Sequence, residues 1–303
     1  MRRLFTALLL GTLGQPVLAE APKVITDISP IHSLASMVMG NVGEPVLLLP
    51  SGADPHNFQL RPSQARALSE AKLVFWVGPE LSPWLERGLE GLGAQARSVP
   101  LLEAEVTMTQ AFDAQQEGHG HDHDHAHDHE GIDPHAWLDP ENARNWLDLM
   151  AQELALLDPA NAATYAANAA TGKAGIDAAE AQVTALLAPV KDRPFAVFHD
   201  AYGYFTGHFG LRSLGSLRQG DAALPGAAHI KELEETLKAG AALCLFPEAN
   251  HGADAAAQMA EATGLRLGNA LDPEGSALPP GPALYGKMML GLATTIAACL
   301  GQG

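Results

Sequence analysis

Four residues of this chain pair metal-binding chemistry with a recurring position. His56 lies in Pro50-Ser-Gly-Ala-Asp-Pro-His-Asn-Phe, a turn-rich segment after an apolar run that ends at Leu49. His135 lies in Asp133-Pro-His-Ala-Trp-Leu-Asp-Pro, just before a helical pattern, and His199 directly follows Phe195-Ala-Val-Phe. Asp272 stands in Asn269-Ala-Leu-Asp-Pro, past a short run near Leu265. A single histidine in such a place carries little weight, because capping and hydrogen-bonding roles are common. Three of them, each beside a Pro turn or a strand end and split between the two halves of the chain, point to a shared ligand. Neutral imidazoles with at most one carboxylate suit a borderline-soft ion such as Zn²⁺, whereas Mn²⁺, Ca²⁺ or Mg²⁺ would call for an oxygen-rich set.

The elements that must position these residues are strands alternating with helices. Apolar or β-branched runs at residues 23–27, 45–49, 73–77, 195–198, 242–246 and 265–267 alternate with helical patterns such as 31–39, 61–71, 141–157 and 230–239. That alternation predicts parallel α/β sheets, in which ligands bind outside the carboxyl ends of the strands. Between the two sets runs an Ala-rich stretch from Asp158-Pro159 to Leu187. Asp158 as N-cap and Pro159 at the first helical position predict a connecting helix of about 28 residues, roughly 42 Å long, although Gly172 and Gly175 weaken its continuity. The expected organisation is a leader at 1–19, an N-terminal lobe at 20–157, a connecting helix at 158–189 and a C-terminal lobe at 190–303.

One segment, residues 117–130, is unlike the rest. It carries His119, His121, His123, His125, His127 and His129 between aspartates, and its largest apolar residue is alanine. It cannot build a core and reads as a mobile loop. A functionless linker would not need alternating His and Asp, so weak multivalent zinc capture near the cleft is the expected role.

The amino terminus reads as a secretory signal peptide: Arg2 and Arg3, an apolar run from Leu4 to Leu13, and Val17-Leu18-Ala19 before Glu20. The general secretory route fits better than twin-arginine export. The run is too short to span a bilayer, and no later stretch is long enough, so the expectation is a soluble periplasmic protein. The formal charge of −17 becomes two units more negative once Arg2 and Arg3 leave, which excludes nucleic acid and anionic lipid as partners and favours cations. Cys244 and Cys299, in an exported chain, read first as a disulfide and otherwise as two buried thiols.

The motifs Leu49-Pro-Ser-Gly-Ala-Asp-Pro-His-Asn-Phe-Gln-Leu-Arg-Pro-Ser, Val77-Gly-Pro-Glu, Asp133-Pro-His-Ala-Trp-Leu-Asp-Pro, Val197-Phe-His-Asp-Ala-Tyr-Gly-Tyr-Phe and Leu271-Asp-Pro-Glu-Gly resemble the zinc-specific (ZnuA-type) solute-binding proteins of bacterial ABC importers. The resemblance covers the chain after the leader. It implies two lobes, each a parallel sheet flanked by helices, joined by one long helix, with zinc bound in the cleft for delivery to a membrane permease. The metal histidines carry over onto His56, His135 and His199, and the cysteine pair onto Cys244 and Cys299. For the fourth ligand, Pro55 removes the acidic residue that some relatives place before the first histidine. Asp272, water or a loop histidine remain.

Other histidines are expected in lesser roles: His32 structural or cleft-lining, His208 and His229 packed or at the surface, His251 in a loop that can line the cleft. Trp137 is expected to shield His135, and Tyr202 and Tyr204 to pack at the rim. The expectation is a monomeric carrier and not an enzyme, with an auxiliary zinc chaperone as an optional partner. The rival functions are a zinc-dependent hydrolase or lyase, since three histidines and a water also make catalytic zinc, and a periplasmic zinc buffer or chaperone. No HExxH motif is present to support an enzyme.

Overall fold

The computed structural model describes residues 21–92, 95–112, 131–218 and 226–302. The leader and the His-rich segment lie outside the described residues. Two four-stranded sheets carry the architecture, and every strand pairing in both is parallel. The first holds β1 (Val24–Thr26), β2 (Val46–Leu47), β3 (Leu73–Trp76) and β4 (Arg97–Pro100) in the order β2-β1-β3-β4. The second holds β5 (Phe195–His199), β6 (Ser213–Arg218), β7 (Cys244–Phe246) and β8 (Arg266–Leu267) in the order β6-β5-β7-β8. The two topologies are equivalent. In each, the chain leaves its first strand toward one edge and returns on the other side, so the switch point lies between β1 and β3, and again between β5 and β7.

Helices α1 (Ser29–Met39), α2 (Pro62–Ser69), α3 (Pro83–Leu92) and α4 (Pro140–Leu157) belong to the first half. The long helix α5 runs from Ala162 to Leu187, preceded by a 3₁₀ turn at Pro159–Asn161. Asp158 sits at that turn, where its carboxylate accepts from Asn161 Nδ2 at 2.7 Å and Tyr165 Oη at 2.8 Å. Gly172 does not break α5. It is buried, and a Cβ there would come within 3.0 Å of Leu147 and 3.4 Å of Met37, so the missing side chain lets α1 and α4 approach closely. In the second half, α6 (Gly203–Phe209), α7 (Ala227–Ala239) and α8 (Asp254–Thr263) flank the second sheet.

The last helix, α9 (Leu284–Leu300), links the halves. Its buried face packs on α5 and α1, where the Tyr285 amide donates to Ser33 Oγ at 3.1 Å and Tyr285 Oη donates to the Trp137 carbonyl at 2.9 Å. Near its end, Cys299 forms a disulfide with Cys244 of β7. Among the described residues no helix is long and apolar enough to cross a membrane.

Candidate metal centre

Three segments bring His56, His135 and His199 together. His56 follows β2 in a loop held by its own turn chemistry: Asp54 Oδ1 accepts from the His56 amide at 2.9 Å, and Trp84 Nε1 donates to the Pro55 carbonyl at 2.7 Å, tying the loop to α3. His135 caps a 3₁₀ turn (Ala136–Leu138) that leads into α4. His199 is the last residue of β5, at the switch point of the second sheet. The ring centroids stand 5.9 Å (His56 to His135), 5.8 Å (His56 to His199) and 5.1 Å (His135 to His199) apart, and one ligand nitrogen from each lies within 4.8 Å of the others. His135 and His199 are buried and His56 is half-buried. Two zinc–nitrogen bonds of about 2.0–2.1 Å meeting at one ion bring their nitrogens to roughly 3.4 Å, so closing the group around zinc takes small side-chain motions.

Carboxylates stand beside Nδ1 of two of these rings. Asp133 Oδ1 lies 2.8 Å from His135 Nδ1 and also accepts from the His135 amide at 3.0 Å. Glu248 Oε2 lies 3.5 Å from His199 Nδ1. At His135 the carboxylate holds the proton on Nδ1 and leaves the Nε2 lone pair for a metal. Neither acid was singled out from the sequence. Glu248 follows β7 by two residues, the same kind of position that drew attention to the histidines, but a glutamate after a strand is too common to stand out. Glu248 also accepts from Tyr202 Oη at 3.2 Å. Burial alone would push its carboxyl up, but hydrogen bonding from His199 and the positive fields of His251 and His135 prevail and hold it below its ordinary value. The adjacent Glu274 goes the other way: burial, then the charges of Glu248, Asp272 and Asp54, drive its carboxyl well above the usual range.

Asp272 is not brought into the three-histidine group. Its Oδ1 accepts from the Ser276 amide at 2.8 Å and its Oδ2 from the Ala277 amide at 3.0 Å, which folds the loop after it. That loop seats Trp137, whose Nε1 donates to the Pro273 carbonyl at 2.8 Å while its ring stands 5.1 Å from that of His135. Tyr204 spans the two halves, donating from Oη to the Asp133 carbonyl at 3.0 Å and accepting from the Gln110 amide at 3.0 Å. His32 Nε2 meets the Pro45 carbonyl at 3.1 Å and His229 Nε2 the Ser216 carbonyl at 2.9 Å, both packing contacts. His208 sits between Asp139 and Glu180, 3.0 and 2.8 Å away. His251 joins His199 and Glu248 in a second group of possible ligands.

Comparison with known proteins finds relatives along nearly the whole chain. A family profile described as "Zinc-uptake complex component A periplasmic" (ZnuA) matches residues 24–299. The high-affinity zinc uptake system protein ZnuA of Paracoccus denitrificans is 43% identical over 318 aligned residues, covering 98% of each chain. Among solved structures, a crystal structure of ZnuA superimposes with a TM-score of 0.76 at 24% identity, covering 92% of this chain and 99% of that one. A ZnuA deletion mutant with zinc bound gives the same TM-score and identity, covering 92% and 98%. On the family match and the identity across nearly the whole length of both chains, this protein belongs to the ZnuA family.

Proposed function

We propose that the protein captures Zn²⁺ in the periplasm between its two lobes, using His56, His135 and His199, and delivers it to the permease of an ABC importer. The observation that carries this reading is the convergence of three imidazoles from both halves of the chain, two of them with a carboxylate on Nδ1. The names of the relatives support a carrier over an enzyme, and the leader at residues 1–19 supports export.

Binding between lobes lets one ion tie the halves together, so that a permease can distinguish loaded from empty protein by shape. The fourth position falls to water, to a carboxylate or to a histidine of the 117–130 segment. Asp272 lies outside the three-histidine group and is held by the amides of Ser276 and Ala277, so its contribution is smaller than that of any histidine. Competition against a zinc chelator tests the assignment: His56→Ala, His135→Ala and His199→Ala should each weaken binding by about a hundredfold or more, beyond the range of lost outer-sphere partners. His229→Ala should leave affinity as it was. Parental affinity in any of the three variants would remove that histidine from the site.

A further inference from the structure

The carboxyl edge of the second sheet carries more ligand chemistry than the three-histidine group uses. His199, Glu248 and His251 form another set whose ligand atoms lie within 4.8 Å of one another, and His199 belongs to both sets. In the second set the Nδ1 edge of that ring faces Glu248 at 3.5 Å, so that Nε2 can be assigned to the three-histidine group. The other oxygen of Glu248 lies 3.5 Å from His251 Nε2, so one carboxylate stands between two imidazoles. Phe198 holds the His251 ring face, with centroids 5.2 Å apart, and takes up neither of its nitrogens. Exposure is graded along this row: the His251 side chain is 22% exposed, against 5% for His199 and 3% for Glu248.

We propose that His251, Glu248 and the Nδ1 edge of His199 form a transit position for the divalent cation, occupied by turns with the three-histidine site. The proposal rests on the zinc-carrier reading. Two imidazoles and a carboxylate, completed by water, are a zinc set in their own right. A neutral imidazole carries its proton on one nitrogen and its lone pair on the other, so His199 serves one position at a time; as the single ion passes from Nε2 to Nδ1, the ring gives the Nδ1 proton to water and takes one up at Nε2. An ion leaving a tight site directly for water must lose its ligands unreplaced. Through the shared ring it gains Glu248 and His251 as it gives up His56 and His135, which lowers the barrier in both directions.

Full-length protein carrying His56→Ala, crystallised with zinc, locates the ion by anomalous scattering. The expected ion lies about 2.0–2.2 Å from His251 and Glu248. An ion held between His135 and His199 alone, or no ion, overturns the proposal. Transfer of zinc from loaded protein to a strong chelator gives a second readout: His251→Ala should release zinc about tenfold more slowly, and take it up more slowly as well. A ligand of the resting site would behave in the opposite way, because its loss speeds release, so unchanged or faster release also overturns the proposal. The same slowing in His251→Gln supports it, and the parental rate in that variant counts against it. Failure of the carrier reading would show separately, as zinc lying away from His56, His135 and His199 in crystals of the parent.

Discussion

Zinc binds a nitrogen lone pair most readily when the ring is already aimed, and at His135 the aim is set by Asp133. One carboxylate oxygen holds both the ring Nδ1 and the backbone amide of the same histidine, at 2.8 and 3.0 Å. The side chain and its own main chain are thereby locked together, and little conformational freedom is left to lose on binding. Asp133→Ala should lower zinc affinity by about 10- to 100-fold, the cost of removing an outer-sphere partner, measured by chelator competition. Asp272→Ala should have a smaller effect on zinc and a larger one on selection against other divalent ions. Its carboxylate shapes the loop under Trp137, and a titration series with several metals would separate the two effects. If Asp272→Ala matched a histidine variant in zinc affinity, that carboxylate would be a ligand.

His208 ties three helices together. It stands on α6, beside Asp139 at the start of α4 and Glu180 of α5. The hydrogen bond to Asp139, reduced by burial and reinforced by Glu180, raises the imidazole above its ordinary 6.5. A group raised in the folded state contributes stability that is complete below its unfolded pKa and lost as pH rises through the folded value. As pH rises through and above the ordinary imidazole value, the parent should therefore lose stability that His208→Gln, lower at the acid end, does not lose; urea unfolding at a series of pH values measures this. Parallel pH profiles would show that the two contacts do not form in solution. At the far end of the second lobe the disulfide fastens α9 to β7 across 55 residues of sequence. Replacing both Cys244 and Cys299 with Ala should cost roughly 4 kcal/mol in the chain-entropy account, read from denaturant midpoints. Because α9 also packs on α1 and α5, that loss would loosen contact between the halves as well as the second lobe.

The molecule as a whole carries a formal charge of −17, a field that draws cations toward it within about 10 Å at moderate salt. The His-rich segment would add ligands to that field, each weak and many together. Deleting residues 118–130 should remove the low-affinity zinc equivalents seen by calorimetry and leave one tight equivalent. Loss of the tight equivalent would make a loop histidine a primary ligand. With one tight equivalent retained, the loop histidines serve capture, His251 transit and the three converging rings retention.

Strands and helices in alternation, the long Ala-rich connector, the disulfide and the three histidines could all be read from local pattern, because each is set by composition or by position at a strand end. The strands that escaped, β4 and β6, are sheet edges with half-exposed, largely polar faces, so no apolar run marks them. The role of α9 across both lobes could not be read either, since a helix apolar on most sides does not say which neighbours it covers. Nor could the carboxylates be ranked. Asp272 and Glu248 both stand just past a strand, and only the folded chain decides that the first spends its oxygens on the amides of Ser276 and Ala277 while the second is turned onto the rings of His199 and His251. The sequence determined which residue types stand at the strand ends. The direction each side chain takes depends on hydrogen-bond partners distant in sequence, and those exist only once the two sheets have been brought together.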